Sequence, residues 1–298
     1  MRLEAGDFVL PVDKPEGPTS HDVVASARRA LRTRRVGHTG TLDPFASGLL
    51  LLCVGQATRL SEHLTGLEKE YEATARLGVS TDSLDREGTI VSETDDLSAV
   101  TEERVAEVLA SFQGPLDQLP PQFSAKKVDG EAMHRKARRG EHVELSPVPV
   151  TIHDIALLSF ERTLVRFSVR CSSGTYIRSI ARDLGEAIGV GAHLTALRRT
   201  SVGRFRVEDS IAVDALDDEA RVSHARVDPL SAVSHLRSLE VDDADAARLV
   251  HGQRLRVEAP GGSDESSTER VAVVHAGTLL AIGELDDGLL RPRKVFPA

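Results

Sequence analysis

The sequence has only two cysteines, Cys53 and Cys171, and both lie in apolar runs that are typical of strands. Two such cysteines argue against a disulfide framework or a cysteine-based zinc site, and they indicate buried free thiols. The eleven histidines show neither a Cys/His pairing nor the HExxH spacing of a zinc enzyme. The sequence therefore predicts a protein without a metal site.

Long hydrophobic runs are also missing. The longest, Leu49–Val54, is far shorter than the roughly 18 residues that a membrane-spanning helix requires. The first residues, MRLEAGDF, include two acids and no apolar stretch of the kind found in signal peptides. We therefore expect a soluble, cytoplasmic protein without a membrane partner.

An excess of positive charge is absent as well, since the net charge is −9, which by itself argues against a nucleic-acid partner. The charge is unevenly distributed: residues 1–206 carry a net charge of −1 and residues 207–298 carry −8. Basic residues in the first part form three groups: Arg28, Arg29, Arg32, Arg34 and Arg35; Lys126, Lys127, Arg135, Lys136, Arg138 and Arg139; Arg198, Arg199, Arg204 and Arg206. One such group is equally consistent with a solvated surface, but three of them favour a polyanionic partner.

The apolar periodicity predicts strands with interspersed helices. Lys69–Leu77 alternates between apolar and polar residues, as a half-buried strand does, whereas Thr101–Gln113 and Ile177–Ile188 carry apolar residues at helical spacing. Because the order is not a regular βαβ alternation, we predict an α+β fold with a mixed, largely antiparallel sheet flanked by helices. Short strand-like runs between Leu255 and Phe296 predict a small β-rich C-terminal domain.

The densest polar segment is GHTGTLDP at Gly37–Pro44. Two glycines and a proline within eight residues indicate a tightly specified loop, which lies shortly before the apolar run that begins at Leu49. Pro44 disfavours a helical backbone at Asp43. An aspartate before a proline is by itself an ordinary turn residue, so the interpretation of Asp43 depends on the whole segment.

As a whole, this segment resembles the signature of the TruB family of pseudouridine synthases, and other segments resemble further motifs of that family in the same order. They are DKPEGPTSHDVV at 13–24, KEY at 69–71, GVSTDSLD at 78–85, PPQFSAKKVDG at 120–130, SGTYIRS at 173–179 and HLTALRR at 193–199. The C-terminal GELDDGLLRPRKVF at 283–296 resembles the end of the family's PUA-like domain. The resemblance implies a pseudouridine synthase catalytic domain at 1–228 with an RNA-binding insertion at about 115–147, then a connector and a PUA-like domain at 229–298.

The resemblance also implies the reaction: a uridine in the T-loop of tRNA is converted to pseudouridine without a cofactor. The N-glycosidic bond breaks, the base turns within the site and a carbon–carbon bond forms. A single carboxylate suits this chemistry as the nucleophile, and by resemblance it is Asp43. The implied partner is the T-stem-loop of tRNA, and no obligatory protein partner is expected.

Roles for other residues follow only from the resemblance. Tyr71 is expected to pack on the extruded uridine and to move a proton, and Arg178 to pair with the Asp43 carboxylate. Tyr176 and Leu197 are expected to line the substrate pocket, and His38 to fill or support the space that the base leaves. Lys14 and Pro15 are expected to support the loop.

Without the motifs, each of these residues has a simpler interpretation. Tyr71, Tyr176 and Leu197 would be core residues, His38 a loop histidine and Arg178 a surface ion pair. Two other functions also remain open: a tRNA-binding or RNA-folding module without catalysis, and a guide-RNA-directed synthase subunit. The intact motifs argue against the first, and the basic insertion and the lack of lysine-rich tails argue against the second.

Overall fold

The computed structural model describes residues 6–98, 100–122, 127–128, 131–132, 145–257 and 268–296. The side chains of the second basic group, within the predicted RNA-binding insertion, lie outside the described residues. Among the helices that are described, none is both long and apolar enough to cross a membrane.

The described helices and strands alternate irregularly along the chain. The helices are α1 (Ser20–Ala30), α2 (Ser61–Thr65), α3 (Glu102–Ser111), α4 (Ile177–Ile188), α5 (Glu219–Ala225), α6 (Pro229–Ala232) and α7 (Asp243–Val250). The strands are β1 (Phe8–Lys14), β2 (Val36–His38), β3 (Ser47–Val54), β4 (Lys69–Leu77), β5 (Val79–Thr81), β6 (Ile90–Glu93), β7 (Gly114–Gln118), β8 (Lys127–Val128), β9 (Glu131–Ala132), β10 (Val148–Glu161), β11 (Leu164–Cys171), β12 (Ala192–Val202), β13 (Phe205–Arg206), β14 (Ile211–Ala212), β15 (Arg237–Glu240), β16 (Leu255–Arg256), β17 (Glu269–His275), β18 (Thr278–Asp286) and β19 (Leu289–Val295). Short 3-10 helices occupy Gly55–Leu60, Val207–Asp209 and Val213–Ala215.

A ten-stranded sheet forms the larger part of the molecule, in the order β14-β1-β3-β12-β4-β11-β10-β7, with β2 beside β3 and β13 beside β12. The pairs β1/β14 and β3/β12 are parallel, and the other pairs of this sheet are antiparallel. The predicted mixed, largely antiparallel α+β sheet is therefore confirmed. The alternation of β4 is also confirmed, since Tyr71, Ala73, Ala75 and Leu77 are buried on one face.

Helices α3 and α4 cover that face. The apolar stripe of α4 includes Ile177, Ile180 and Leu184, and it packs in one core with Ala73, Ala75 and other residues of the sheet. Gly185 allows the close approach of α4 to β12, because a Cβ there would lie 2.3 Å from the Ala192 nitrogen. The shared core and the close approach at Gly185 together fix α4 on the sheet.

Residues 114–118, where the predicted insertion of about 115–147 starts, form β7, an edge strand of the large sheet. β7 pairs with Val148–Ile152 of β10. Pro115, which has no N–H to donate, is tolerated at an edge. The proline at the start of this segment is therefore part of the sheet.

A second, five-stranded sheet, in the order β15-β17-β18-β19-β16, confirms the predicted β-rich C-terminal part. It does not stand apart from the large sheet. Leu49 and Leu51 of β3 share one apolar core with Ile282 and Phe296. Polar contacts join the same surfaces: the Lys294 ammonium lies 2.5 Å from the Glu62 carboxylate and donates to the Arg59 carbonyl at 2.7 Å. At its small size, such a sheet gains much of its stability from this shared core.

Candidate active site

The loop that carries Asp43 lies between β2 and β3, and the chain between β1 and α1 supports it. Lys14 is fully buried, and its ammonium donates to the carbonyls of Pro15 and Pro18 at 2.8 Å and to that of Pro44 at 3.3 Å. Burial lowers the pKa of Lys14 to about 8, although the negative charge of Asp43 opposes this shift. Its contacts agree with the supporting role expected for Lys14.

Two further contacts fix the same loop. The Ser20 hydroxyl, in the first turn of α1, donates to the Leu42 carbonyl at 3.1 Å and accepts from the Leu42 amide at 2.9 Å. The Gly17 amide donates to the Pro44 carbonyl at 2.8 Å. The backbone on both sides of Asp43 is therefore held by the segment at 13–20.

The predicted ion pair between Arg178 and Asp43 is present, with 3.1 Å between Nε and Oδ2. Arg178 lies in the first turn of α4 and is buried. Its Nη1 also contacts Asp85 Oδ2 at 3.2 Å and donates to the Ser83 carbonyl at 2.9 Å. The Arg178 guanidinium thus contacts two carboxylates. The buried Asp85, to which the sequence assigned no role, holds the guanidinium in the position where it meets Asp43.

The ionisation of Asp43 is balanced by opposing effects. Burial raises the pKa of the Asp43 carboxyl above its usual value, and the negative charge of Asp85 raises it further. The positive charges of Arg178 and, to a smaller extent, Lys14 lower this pKa. About a third of the side chain, 35%, stays exposed. The carboxylate is therefore accessible to a substrate from the cavity while its ionic state depends on Arg178.

A second arginine, Arg199, contacts Tyr71. Strands β4 and β12 pair with these two residues directly opposite each other, and Arg199 is 2% exposed. Its Nε donates to the Leu49 carbonyl at 2.7 Å and its Nη2 to the Gly40 carbonyl at 3.1 Å. Burial raises the pKa of the Tyr71 hydroxyl, and the positive charge of Arg199 and its hydrogen bond to that hydroxyl oppose this shift.

The close packing of β3 against β12 determines the position of Arg199. Gly48 on β3 has a φ of +103°, and a Cβ there would lie 2.3 Å from the Arg199 carbonyl oxygen. Only glycine therefore lets β3 approach β12 at this point. The same approach brings the Asp43 loop, which leads into β3, next to Tyr71 on β4.

A cavity of about 440 Å³ opens at the point where these elements meet. Five of the six predicted site residues line it: Asp43, Tyr71, Tyr176, Arg178 and Leu197. A larger cavity of about 710 Å³ lies between α1 and residues 212–217, and it contains none of the six. The smaller cavity is the candidate active site because a carboxylate, two arginines and two tyrosines line it.

The backbone of Tyr176 is held by Gln118, a residue of the edge strand β7. Its amide donates to the Gln118 side-chain oxygen at 2.8 Å, and the Gln118 amide group donates back to the Tyr176 carbonyl at 3.1 Å. Gln118 ends β7 and is 1% exposed. The last residue of the edge strand therefore holds the backbone that leads into α4 and Arg178.

His38 is the predicted residue that does not line this cavity. Its Nδ1 accepts from the Gly40 amide at 3.3 Å, and its ring meets that of His21 edge-on, with 5.3 Å between centroids. Burial lowers the pKa of His38 to about 4, and the positive charges of His21 and Arg199 act in the same direction. His38 is therefore a neutral, half-buried support of the loop in this state, and its contact with a substrate stays a prediction.

Three members of the third basic group contact other parts of the protein. Arg199 is buried beside Tyr71, Arg198 forms an ion pair with Asp13 at 2.8 Å, and Arg206 pairs with Glu70 at 2.5 Å. Strand pairing, which the sequence does not show directly, turns these cations toward neighbouring strands. Arg199 is therefore part of the site, whereas a polyanionic partner for the more exposed Arg198, Arg204 and Arg206 stays a prediction.

Family models match the chain in three consecutive parts. The TruB family pseudouridylate synthase (N terminal domain) model matches residues 28–177, the tRNA pseudouridylate synthase B C-terminal domain matches residues 178–240, and the model of the C-terminal part of pseudouridine synthase II TruB matches residues 238–296. The chain is similar to a tRNA pseudouridine synthase B of Azoarcus sp., with 42% identity over 97% of the chain and 95% of the relative. It is also similar to that of Burkholderia mallei, with 44% identity over 99% of the chain and 98% of the relative.

Solved structures extend the comparison to three dimensions. The chain resembles a chain of the archaeal box H/ACA sRNP Nop10-Cbf5 complex, with a TM-score of 0.76 and 28% identity over 99% of this chain and 88% of that one. It also resembles a chain of an H/ACA RNP bound to a substrate RNA containing 2'-deoxyuridine, with a TM-score of 0.75 and 28% identity over 98% of this chain and 85% of that one.

Proposed function

Because the chain belongs to the TruB family of pseudouridine synthases, we propose that it isomerises uridine 55 in the T-loop of tRNA to pseudouridine. The observation that carries this proposal is the Asp43 carboxylate, which faces a cavity and lies 3.1 Å from Arg178. Relatives that match nearly the whole chain are named tRNA pseudouridine synthase B, which supports tRNA as the substrate.

The cavity can take a single extruded nucleoside. Its volume of about 440 Å³ lies in the usual range of small-ligand pockets, roughly 300–1,000 Å³. A uridine within a folded RNA must leave its stack to reach Asp43, and enzymes that act on bases hold the extruded base by stacking and edge contacts. Tyr71, Tyr176 and Leu197 supply the apolar and aromatic walls for this purpose.

Asp43 acts as the nucleophile, since it is the carboxylate that faces the cavity beside a fixed cation. Arg178 keeps the carboxylate ionised against the effect of burial and directs it toward the base. Asp85 in turn fixes Arg178. The covalent step lets the N-glycosidic bond break and the base turn before the carbon–carbon bond forms, and no metal or cofactor is needed for it.

Tyr71 moves a proton in this proposal. The reaction requires that one proton leaves the carbon that becomes attached to the sugar, while the released nitrogen gains one. Arg199 donates to the Tyr71 hydroxyl oxygen, so the hydroxyl hydrogen is directed away from the guanidinium. With a raised pKa, Tyr71 starts as a neutral phenol, which gives its proton to the released nitrogen. The phenolate that results takes the proton from the carbon after the carbon–carbon bond has formed, so the phenol is restored and the protons balance.

The test is to incubate the purified protein alone with an unmodified tRNA transcript and to map any pseudouridine formed. We expect it at the T-loop uridine, with no other protein or RNA added. The solved structures of similar chains are H/ACA assemblies, so a requirement for an added guide RNA would indicate the subunit function. Tight binding without product, also at high enzyme concentration, would indicate an RNA-binding or folding module.

A further inference from the structure

An exposed group of arginines lies at the C-terminal end of α1 and in the loop that leads to β2. We call Arg28, Arg29, Arg32, Arg34 and Arg35 the α1 arginine surface; all five are exposed. Arg28 donates to the Val36 carbonyl at 2.8 Å and Arg29 to the Ser26 hydroxyl at 3.1 Å. Within the part of the chain that the structure describes, none of the five forms an ion pair with a carboxylate.

The clustering of these arginines sets the surface apart, since five of them lie within eight positions without an acid between them. Among the other exposed arginines, some, such as Arg76, Arg162 and Arg254, also have no ion pair among the described residues, whereas others pair with a carboxylate. Arg86 pairs with Glu16, Arg166 with Glu72 and Arg293 with Glu284. Arg29 even shares the 710 Å³ cavity with Asp214 and Asp217 without an ion pair to either.

The helix dipole accounts for only part of this surface. Arg28 and Arg29 lie in the last turn of α1, where cations are stabilised by the partial negative charge of the helix end. Arg32, Arg34 and Arg35 lie beyond the helix, where this effect falls away. Mutual repulsion of five cations that have no ion pair among the described residues favours binding of an external anion.

The surface is rigidly connected to the Asp43 loop at two points. Arg35 precedes β2, and its carbonyl accepts from the Gly55 amide at 2.8 Å, while three residues of β2 lead to His38. At roughly 3.3 Å per residue this distance is about 10 Å. At the other end, α1 begins at Ser20, which binds Leu42, and a helix of this length spans roughly 16 Å.

We propose that the α1 arginine surface binds backbone phosphates in the stem of the RNA arm whose loop uridine enters the cavity. The proposal rests on the proposed function. When the base occupies the cavity, the phosphates next to it lie at the cavity rim. Phosphates of a duplex strand follow one another at roughly 3.4 Å of helix axis, so the 10 to 16 Å estimated above corresponds to roughly three to five nucleotides along the strand. Planar guanidinium groups bind phosphate oxygens with two parallel hydrogen bonds, and such contacts position a nucleic acid without reading its sequence.

The test compares two variants of equal charge. The first carries Arg29→Gln, Arg34→Gln and Arg35→Gln; Arg28 is retained because it binds Val36, and Arg32 because its φ is +51°. The matched control carries Arg221→Gln, Arg248→Gln and Arg254→Gln, three exposed arginines outside α1. Affinity for an unmodified tRNA transcript and for an isolated T-arm hairpin is measured as a function of salt concentration, and thermal melts check folding.

We expect the first variant to bind both RNAs more weakly and to lower the slope of log affinity against log salt by about 2 to 3, since each phosphate contact in a duplex contributes roughly 0.9. The control should keep the wild-type slope. A wild-type slope in the first variant overturns the proposal, and a reduced slope with tRNA but not with the hairpin overturns its placement on the stem. Failure of the proposed function is distinguishable, because wild-type protein would then form no pseudouridine whatever the binding data show.

Discussion

Replacing Arg178 with methionine would remove the cation that lies between Asp43 and Asp85. Two unit charges about 4 Å apart interact by roughly 4 kcal/mol at an effective dielectric constant of about 20. Because a third of the Asp43 side chain is exposed to solvent, we discount this to about 2 to 3 kcal/mol, which corresponds to a rate loss of roughly 30- to 160-fold at neutral pH. Arg178→Lys keeps the charge without the planar fork, so it should lose less.

The pH dependence separates an ionic role from a structural one. Without Arg178, the pKa of Asp43, which burial already raises, should rise further. The carboxylate is the active form, so the single-turnover rate of Arg178→Met should recover partly as pH increases. The stability of the fold should fall as pH increases, while the rate recovers. A carboxyl whose pKa is higher in the folded state than in the unfolded state stabilises the fold at low pH, and this contribution is lost as pH rises through the folded-state pKa.

The assay is a single-turnover pH–rate profile together with thermal melts at each pH. The matched control is Arg182→Met, which removes an arginine one turn later on α4 that pairs with Asp183 at 2.7 Å. It should leave the shape of the profile unchanged. If the Arg178→Met rate equals that of wild type, or stays flat with pH while the protein is folded, the ionic coupling between Arg178 and Asp43 is refuted.

Three further predictions address other parts of the molecule. Asp43→Asn should abolish pseudouridine formation in single-turnover assays while tRNA affinity stays within about a few-fold; substantial product would exclude Asp43 as the nucleophile. Arg199→Met should lower the single-turnover rate more than Arg199→Lys does, because Tyr71 loses the hydrogen bond that Arg199 donates to it. The pH–rate profile of Arg199→Met should also differ from that of wild type above neutral pH, and identical profiles for the two proteins would contradict this role. Phe296→Ala should cost about 3 to 5 kcal/mol of stability in one cooperative calorimetric transition; two separate transitions would contradict the shared core.

Local patterns predicted much of the fold. Alternation in Lys69–Leu77 and the apolar stripe of Ile177–Ile188 depend on residues close in sequence, and both elements formed with these bounds. The motifs placed five of six predicted side chains around one cavity. Their catalytic and binding roles stay predictions, because position alone does not test a role.

Contacts between residues that are far apart in the chain could not be predicted from the sequence. Asp85 meets Arg178 across 93 positions, and nothing in the turn at 78–85 indicates that partner. Arg199 was assigned to a basic surface because its neighbours are basic, but the strand register turns it toward Tyr71. The shared core was missed for the same reason, since Leu49 and Phe296 are separated by most of the chain.

The core shared by the two sheets also makes one thiol a reporter of their separation. Cys53 on β3 is fully buried in that core, and burial raises the pKa of its thiol to about 12. A buried thiol with so little thiolate resists alkylation. Cys171, whose pKa is raised by burial to about 11, belongs to the core beneath α4 and serves as the internal reference. If Cys53 is alkylated faster than Cys171, the C-terminal sheet separates from β3 before the core beneath α4 opens. The rate of Cys53 alkylation would then report the separation of that sheet from the strand into which the Asp43 loop leads.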